Sequence, residues 1–289
     1  MNTGYLIIYI IGALSIGYGT LTVGSFTALI QLFQKVQGPI YYLSSIFSQI
    51  ISALGASERL QEIYKLPLDT LDITLLNKES FNELQFKDVS FAYKKNDYIL
   101  NKINLKIYPG DSLGIIGDSG KGKTTLLKLI LSLLDPTEGK ILLDNVPINP
   151  SHRTIMSYVP QGNTLSSGSI KENLIYGNKN ISNLEIYDTL KISCAYEFIC
   201  NLPKGLDTII GEKALGLSEG QAQRLSITRA ILQKKPILIL DEATSALDVS
   251  TELRLLENLN NIKHKPTVIV VTHRPAALKY CNKTLKITS

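Results

Sequence analysis

Only one charged residue, Lys35, lies in residues 1–57 of a 289-residue chain that carries 30 Lys and Arg and 25 Asp and Glu. So uneven a distribution divides the chain before any motif is read, into a front segment that avoids water and a charged body. It excludes intrinsic disorder, which requires high charge and few apolar residues. It also argues against a single, uniformly soluble domain. The net charge of +5 is modest and includes the uncharged segment, so no nucleic-acid partner is expected. Cys194, Cys200 and Cys281 lack metal-type CxxC spacing and read as free or buried thiols of a reducing compartment.

Gly4 to Val23 holds 20 residues without a charge, which as a helix reach about 30 Å, the thickness of a bilayer core. A signal peptide would want a basic residue before its apolar run, and the first basic residue is Lys35. After a break at Thr22, Gly24 and Ser25, a second apolar stretch runs from Phe26 to Ser57. In it Ile46, Phe47, Ile50, Ile51 and Leu54 recur at helical spacing and Pro39 predicts a kink. The expectation is two transmembrane helices within residues 1–64, in contact with membrane lipid. Both ends would lie on the cytoplasmic side marked by Arg59 and Lys65, giving a multi-pass cell-membrane protein with its charged body in the cytoplasm. Lys35 falls near mid-span and is expected to face water or a neighbouring helix. Gln31, Gln34, Lys35, Gln37 and Tyr41 are candidates to face a translocation path, which leaves the transported substrate unspecified.

Residues 65–80 are polar and irregular and read as a linker to a domain over 81–289. There Leu84–Tyr93 and Ile103–Ile107 alternate like strands, Leu113–Ile116 is a short buried strand, and Leu126–Leu134 has helical periodicity. Ile237–Leu240 and Thr267–Val271 are continuous apolar β-type runs, suited to parallel strands covered on both faces. Strands alternating with helices predict an α/β domain.

After Leu113–Ile116 comes Gly117-Asp118-Ser119-Gly120-Lys121-Gly122-Lys123-Thr124, a match to G-x-x-x-x-G-K-[ST] between a strand and a helix opening at Thr125. Its glycines let backbone N–H groups converge on phosphate, and the helix N-terminus adds its dipole. Lys123 is expected to bridge β- and γ-phosphates and the Thr124 hydroxyl to ligate Mg²⁺. Asp241, at the end of the run Ile237–Leu240, is expected to hold Mg²⁺ through water. Glu242 beside it would orient or deprotonate the attacking water.

Between these motifs stands Leu217-Ser218-Glu219-Gly220-Gln221, followed by Gln223-Arg224. With it the chain resembles the ATP-binding cassette (ABC) family, whose signature is LSGGQ. The resemblance implies an α/β P-loop NTPase with a mixed sheet and a helical signature subdomain. It gives Tyr93 the stacking position on adenine and Gln161, in YVPQ, a contact to Mg²⁺ and to the membrane domain. It makes Ser245–Asp248 the loop across a dimer seam and His273 the switch at the γ-phosphate. One cassette would hold Gly117–Thr125 against ATP, with Glu242, His273 and Gln161 catalytic and Thr124, Gln161 and Asp241 on the metal. Ser218, Gly220 and Gln221 of a second half-transporter would close the other face.

The front helices with Ser57-Glu58-Arg59-Leu60, and Thr208–Glu212 before the signature, resemble the end of a type I exporter half. The function so implied is MgATP hydrolysis at a cassette dimer coupled to export. A soluble ABC ATPase of DNA repair or translation would lack the two uncharged spans. A nucleotide-binding relict or regulatory membrane protein without transport is the alternative. Two departures stand out. Glu219 replaces a glycine of the signature, a carboxylate that either stands near the partner's triphosphate, where like charge would weaken ATP affinity, or points to solvent. The expected two spans compare with six in a type I half, so the chain is read as a C-terminal part, and 16 residues after His273 are few for the family.

Overall fold

A computed structural model describes residues 3–65, 69, 80–94, 97–118, 120–162, 164–178, 180–211, 214–263 and 265–287. The chain divides into two compact units, Met1–Leu68 and Asp69–Ser289. Most of the expected linker, with Ser119 and Glu212, lies outside the described residues.

The first unit is a helical hairpin of α1 (Thr3–Gly17) and α2 (Val23–Tyr64). Gly12 leaves room for the ring of Phe26, which also meets Tyr9 edge-on with centroids 6.0 Å apart. The backbone N–H and hydroxyl of Thr20 both donate to the Ser15 carbonyl, closing α1 early, and Thr22 caps α2 by accepting from the Ser25 N–H. These turn bonds correct the expected first span. They remove the segment up to Val23 from the helix and leave 15 residues, about 22 Å against the roughly 30 Å of a bilayer core. α2 is long enough and continues through Pro39, but Gln31, Gln34, Lys35 and Gln37 dilute its first half and Ser45, Ser48 and Gln49 its second. Among the described residues no helix is long and apolar enough to cross a membrane, so the expectation of two transmembrane helices within residues 1–64 is not supported.

The second unit opens with β1 (Leu84–Lys94) and β2 (Asp97–Ile107), then β3 (Ser112–Ile116), α3 (Lys123–Ile130), β4 (Glu138–Leu143), β5 (Val146–Pro147) and β6 (Met156–Val159). A helical region follows, with β7 (Gly168–Ser169), α4 (Ile170–Leu174), α5 (Asn183–Ile192), α6 (Tyr196–Cys200), β8 (Ile209–Ile210) and α7 (Glu219–Leu232). The chain returns through β9 (Ile237–Asp241), α8 (Val249–Asn260), β10 (Thr267–Val271) and β11 (Lys283–Lys286). One sheet is antiparallel, ordered β2-β1-β4-β5; the other is parallel, ordered β11-β3-β10-β9-β6; β7 and β8 pair separately.

Every residue of β9 and β10 is buried, because the two faces of the parallel sheet are covered differently. Ile237, Ile239, Ile269 and Val271 pack with Leu126, Leu127 and Ile130 of α3 and with the antiparallel sheet. Leu238, Leu240, Val268 and Val270 face Leu255, Leu256 and Leu259 of α8 and Ile227 of α7. Leu225 and Ala222, on another side of α7, join Ile170, Leu174, Ile186 and Leu190 in a third cluster. α7 thereby ties the helical region to the sheet. Mixed sheets with a helical signature region agree with the fold expected of the charged body.

Ile239 and Leu240 are neighbours on opposite faces, and both are fully buried. Ile239→Ala and Leu240→Ala are each expected to cost about 2–5 kcal/mol in urea unfolding of this unit, because neither face has solvent to relax into. A strand covered on one face only would show the loss at one of the two positions.

Candidate active site

The order β3-β10-β9-β6 sets side by side the loops that leave the C-terminal ends of these strands. They carry residues 117–122, Thr272–Arg274, Asp241–Glu242 and Pro160–Gln161. That edge is where ligands sit in open α/β sheets, and Lys123, Thr124, Gln161, Asp241, Glu242 and His273 meet there.

Gly122 is the residue before α3, at φ 96°, with no side chain capping the helix. A left-handed φ favours glycine, and the first N–H groups of α3 are left to a ligand. The Lys123 ammonium, 5% exposed, folds back over the loop and donates to the carbonyls of Gly117 at 2.8 Å and Asp118 at 3.0 Å. Glu242 Oε1 lies 3.8 Å from it. The N–H of Lys121 donates to the same Asp118 carbonyl, and Gly120 turns the loop with positive φ.

Asp241, at the buried end of β9, accepts from the Thr124 hydroxyl at 3.3 Å on Oδ1 and from the Tyr158 hydroxyl at 3.1 Å on Oδ2. Burial pushes its carboxyl above the ordinary carboxylate range, while these hydroxyls pull the other way. Burial and the facing carboxylate push the Tyr158 hydroxyl far up, so it stays a donor. Thr124 and Asp241 form an all-oxygen pair fit for a hard cation that keeps waters and phosphate oxygens as its other ligands. Among the described residues no cluster of three or more His, Cys, Asp or Glu makes a metal cage.

Glu242 has φ 50°, a conformation uncommon and strained for a side chain of this kind. Its carboxylate is shared: Gln161 Nε2 donates to Oε2 at 2.9 Å, and His273 Nε2 lies 2.7 Å from Oε1. Gln161 thus meets Glu242 first, and not Thr124 or Asp241. On the other side of the loop, Tyr93 of β1 stands 55% exposed, edge-on to Phe91, with its hydroxyl 3.3 Å from that of Thr125 on α3. An exposed ring beside the phosphate loop is free to stack.

Ser218, Gly220 and Gln221 are not bonded to this group. Ser218 accepts from the Gln221 N–H, and the Gln221 side chain accepts from the Ser218 N–H, closing a capping box at the start of α7. Gly220 lies against the loop 245–248, where an added Cβ would stand 2.9 Å from the Ala246 carbonyl oxygen. Glu219 is exposed in the first turn. Two further contributors have no role in the sequence reading. Tyr158, in YVPQ, reaches Asp241 only because β6 lies beside β9. Gln223, buried on α7, donates to the Ser245 hydroxyl at 3.1 Å and accepts from the Ala246 N–H at 3.0 Å.

Residues 100–245 match the family described as ABC transporter. ABC transporter B family member 4 of Dictyostelium discoideum is 37% identical over 281 residues, covering 95% of this chain and 37% of that protein. An ATP-dependent lipid A-core flippase of Legionella pneumophila (strain Lens) is 36% identical over 268 residues, 91% of this chain and 46% of the flippase. The solved structure of a bacterial Atm1-family ABC exporter with ATP bound superposes with a TM-score of 0.70 at 28% identity, over 98% of this chain and 52% of that one. The chain thus spans half or less of the two curated relatives.

The raised pKa of Asp241 has a consequence for stability. A carboxyl that titrates higher in the fold than in the unfolded chain contributes stability below its unfolded pKa and loses it as pH rises through the folded one. Asp241→Asn keeps an acceptor for Thr124 and offers the Tyr158 oxygen a donor. It is expected to raise the thermal midpoint of the ligand-free chain at about pH 8, and the gain should shrink toward about pH 4. A gain that does not vary with pH would show that burial of the charge is not the cause.

Proposed function

The chain belongs to the ABC transporter family, and from that premise we propose that it binds MgATP and hydrolyses it as one of two paired cassettes that drive export across a membrane. One observation carries the reading: Lys123, Thr124 with Asp241, and Glu242 with Gln161 and His273 converge on one edge of the parallel sheet. Tyr93 stands beside the loop for the adenine ring. Gly117, Asp118, Gly120, Lys121 and Gly122 would surround the phosphates with backbone N–H groups. Lys123 exchanges its two carbonyl partners for phosphate oxygens.

Thr124, Asp241 and Gln161 would hold Mg²⁺, which neutralises charge on the β- and γ-phosphates when bound. Glu242 takes the proton of the attacking water, and Gln161 orients its carboxylate through Oε2. His273, on the other carboxylate oxygen, fixes Glu242 and faces the γ-phosphate. The half-site closes when Ser218, Gly220 and Gln221 of a second half-transporter bring the N-terminus of α7 to the same phosphate.

The helical unit supports a membrane location. A helix too polar to cross alone crosses in a bundle where its polar stripe is covered, and Gln31, Gln34 and Lys35 fall on one face of α2. The exporter superposition, which includes the helical hairpin in its coverage, supports α1 and α2 as part of such a bundle. The ATPase unit would then stand in the cytoplasm.

The test is ATP turnover by the purified full chain in detergent. Glu242→Gln is expected to retain MgATP affinity and to slow hydrolysis at least about a hundredfold. Lys123→Ala is expected to abolish binding while Lys121→Ala retains it. Turnover that survives Glu242→Gln, or affinity that tracks Lys121 in place of Lys123, would overturn the reading.

A further inference from the structure

Behind Glu242 and His273 lies a buried ionic knot that the roles above leave unused. Glu252, in the first turn of α8, is 1% exposed. Its Oε1 accepts from the Thr244 hydroxyl at 2.6 Å and from the Thr272 hydroxyl at 3.3 Å. Its Oε2 accepts from Arg274 Nη1 at 2.9 Å. The same guanidinium donates to the Leu247 carbonyl at 2.7 Å and to the Ser245 carbonyl at 3.2 Å, and the Arg274 N–H donates to Thr272 Oγ1 at 3.0 Å.

The partners of this one carboxylate are placed with a purpose. Thr272 and Arg274 flank His273, and Thr244 stands two residues beyond Glu242. Ser245 and Leu247 belong to the loop that also receives Gln223 and abuts Gly220. A cavity of about 150 Å³ lined by Glu242, Glu252, His273 and Arg274 among others places the knot beside the Glu242–His273 pair. A fully buried carboxylate is costly without its cation, so the fold keeps the pair for what it fixes.

We infer that Glu252 and Arg274 are positioning residues for hydrolysis: they lock the loop 245–248 to the segment carrying His273. Lysine cannot replace Arg274 in this, because its single ammonium does not span two carbonyls and a carboxylate in one plane. The inference rests on the ATPase reading above.

The experiment measures kcat, MgATP affinity and thermal midpoint together on the full chain in detergent. Arg274→Lys keeps the charge beside Glu252 and is expected to fold. It should lower kcat about tenfold with affinity held within about twofold, as misplacement of a catalytic pair does. Glu252→Gln should do the same, and the double variant Glu252→Gln with Arg274→Lys should be no slower than the slower single one, since the two act as a unit. Wild-type kcat in both single variants overturns the inference, and so does a parallel fall of kcat, affinity and thermal midpoint, which is mere destabilisation. Hydrolysis that requires Glu242 but ignores Arg274→Lys sinks this inference alone. A wild-type chain without ATP turnover sinks the functional reading and this inference with it.

Discussion

Burial of the parallel sheet on both faces is the constraint from which the rest follows. β9 and β10 have no exposed position, so a polar or charged group can stand only where a strand ends. Asp241 is the last residue of β9 and Thr272 the first after β10, and β3 opens directly into the phosphate loop. Parallel register puts these ends on one edge; an antiparallel sheet of the same residues would have split them between two. The same burial raises the carboxyl of Asp241 and makes the hydroxyls of Thr124 and Tyr158 necessary, since a buried carboxylate needs donors.

What the residues disclosed in advance follows from how local each signal is. The phosphate loop is eight consecutive residues between a strand and a helix, and the runs Ile237–Leu240 and Thr267–Val271 are continuous apolar segments. Such features are written in adjacent positions. Tyr158 to Asp241 spans 83 residues and Gln223 to Ser245 spans 22; these contacts exist only because β6 lies beside β9 and α7 lies over the loop 245–248. No periodicity in one segment encodes a pairing between two. The bond from Gln161 to Glu242 is of the same kind, spanning 81 residues.

The front segment shows the opposite failure. Absence of charge predicts a membrane-spanning length, but length depends on where a helix stops. The backbone and hydroxyl of Thr20 on the Ser15 carbonyl decide that stop, and glutamines decide the hydropathy of α2. Neutral polar side chains do not register in a charge count. They cost less than a lysine in an apolar environment, yet they still ask for partners.

Glu219 is where these arguments meet. In the first turn of α7 a carboxylate faces the positive end of the helix dipole, where a negative charge is worth about 0.3–1 kcal/mol. In an isolated chain the residue is therefore stabilising, and its exposure leaves it hydrated. Gly220 beside it lies against the Ala246 carbonyl, and the loop 245–248 that it abuts is held by Gln223 on one side and Arg274 on the other. The N-terminus of α7 is thus fixed through its backbone while the Glu219 side chain stays in solvent.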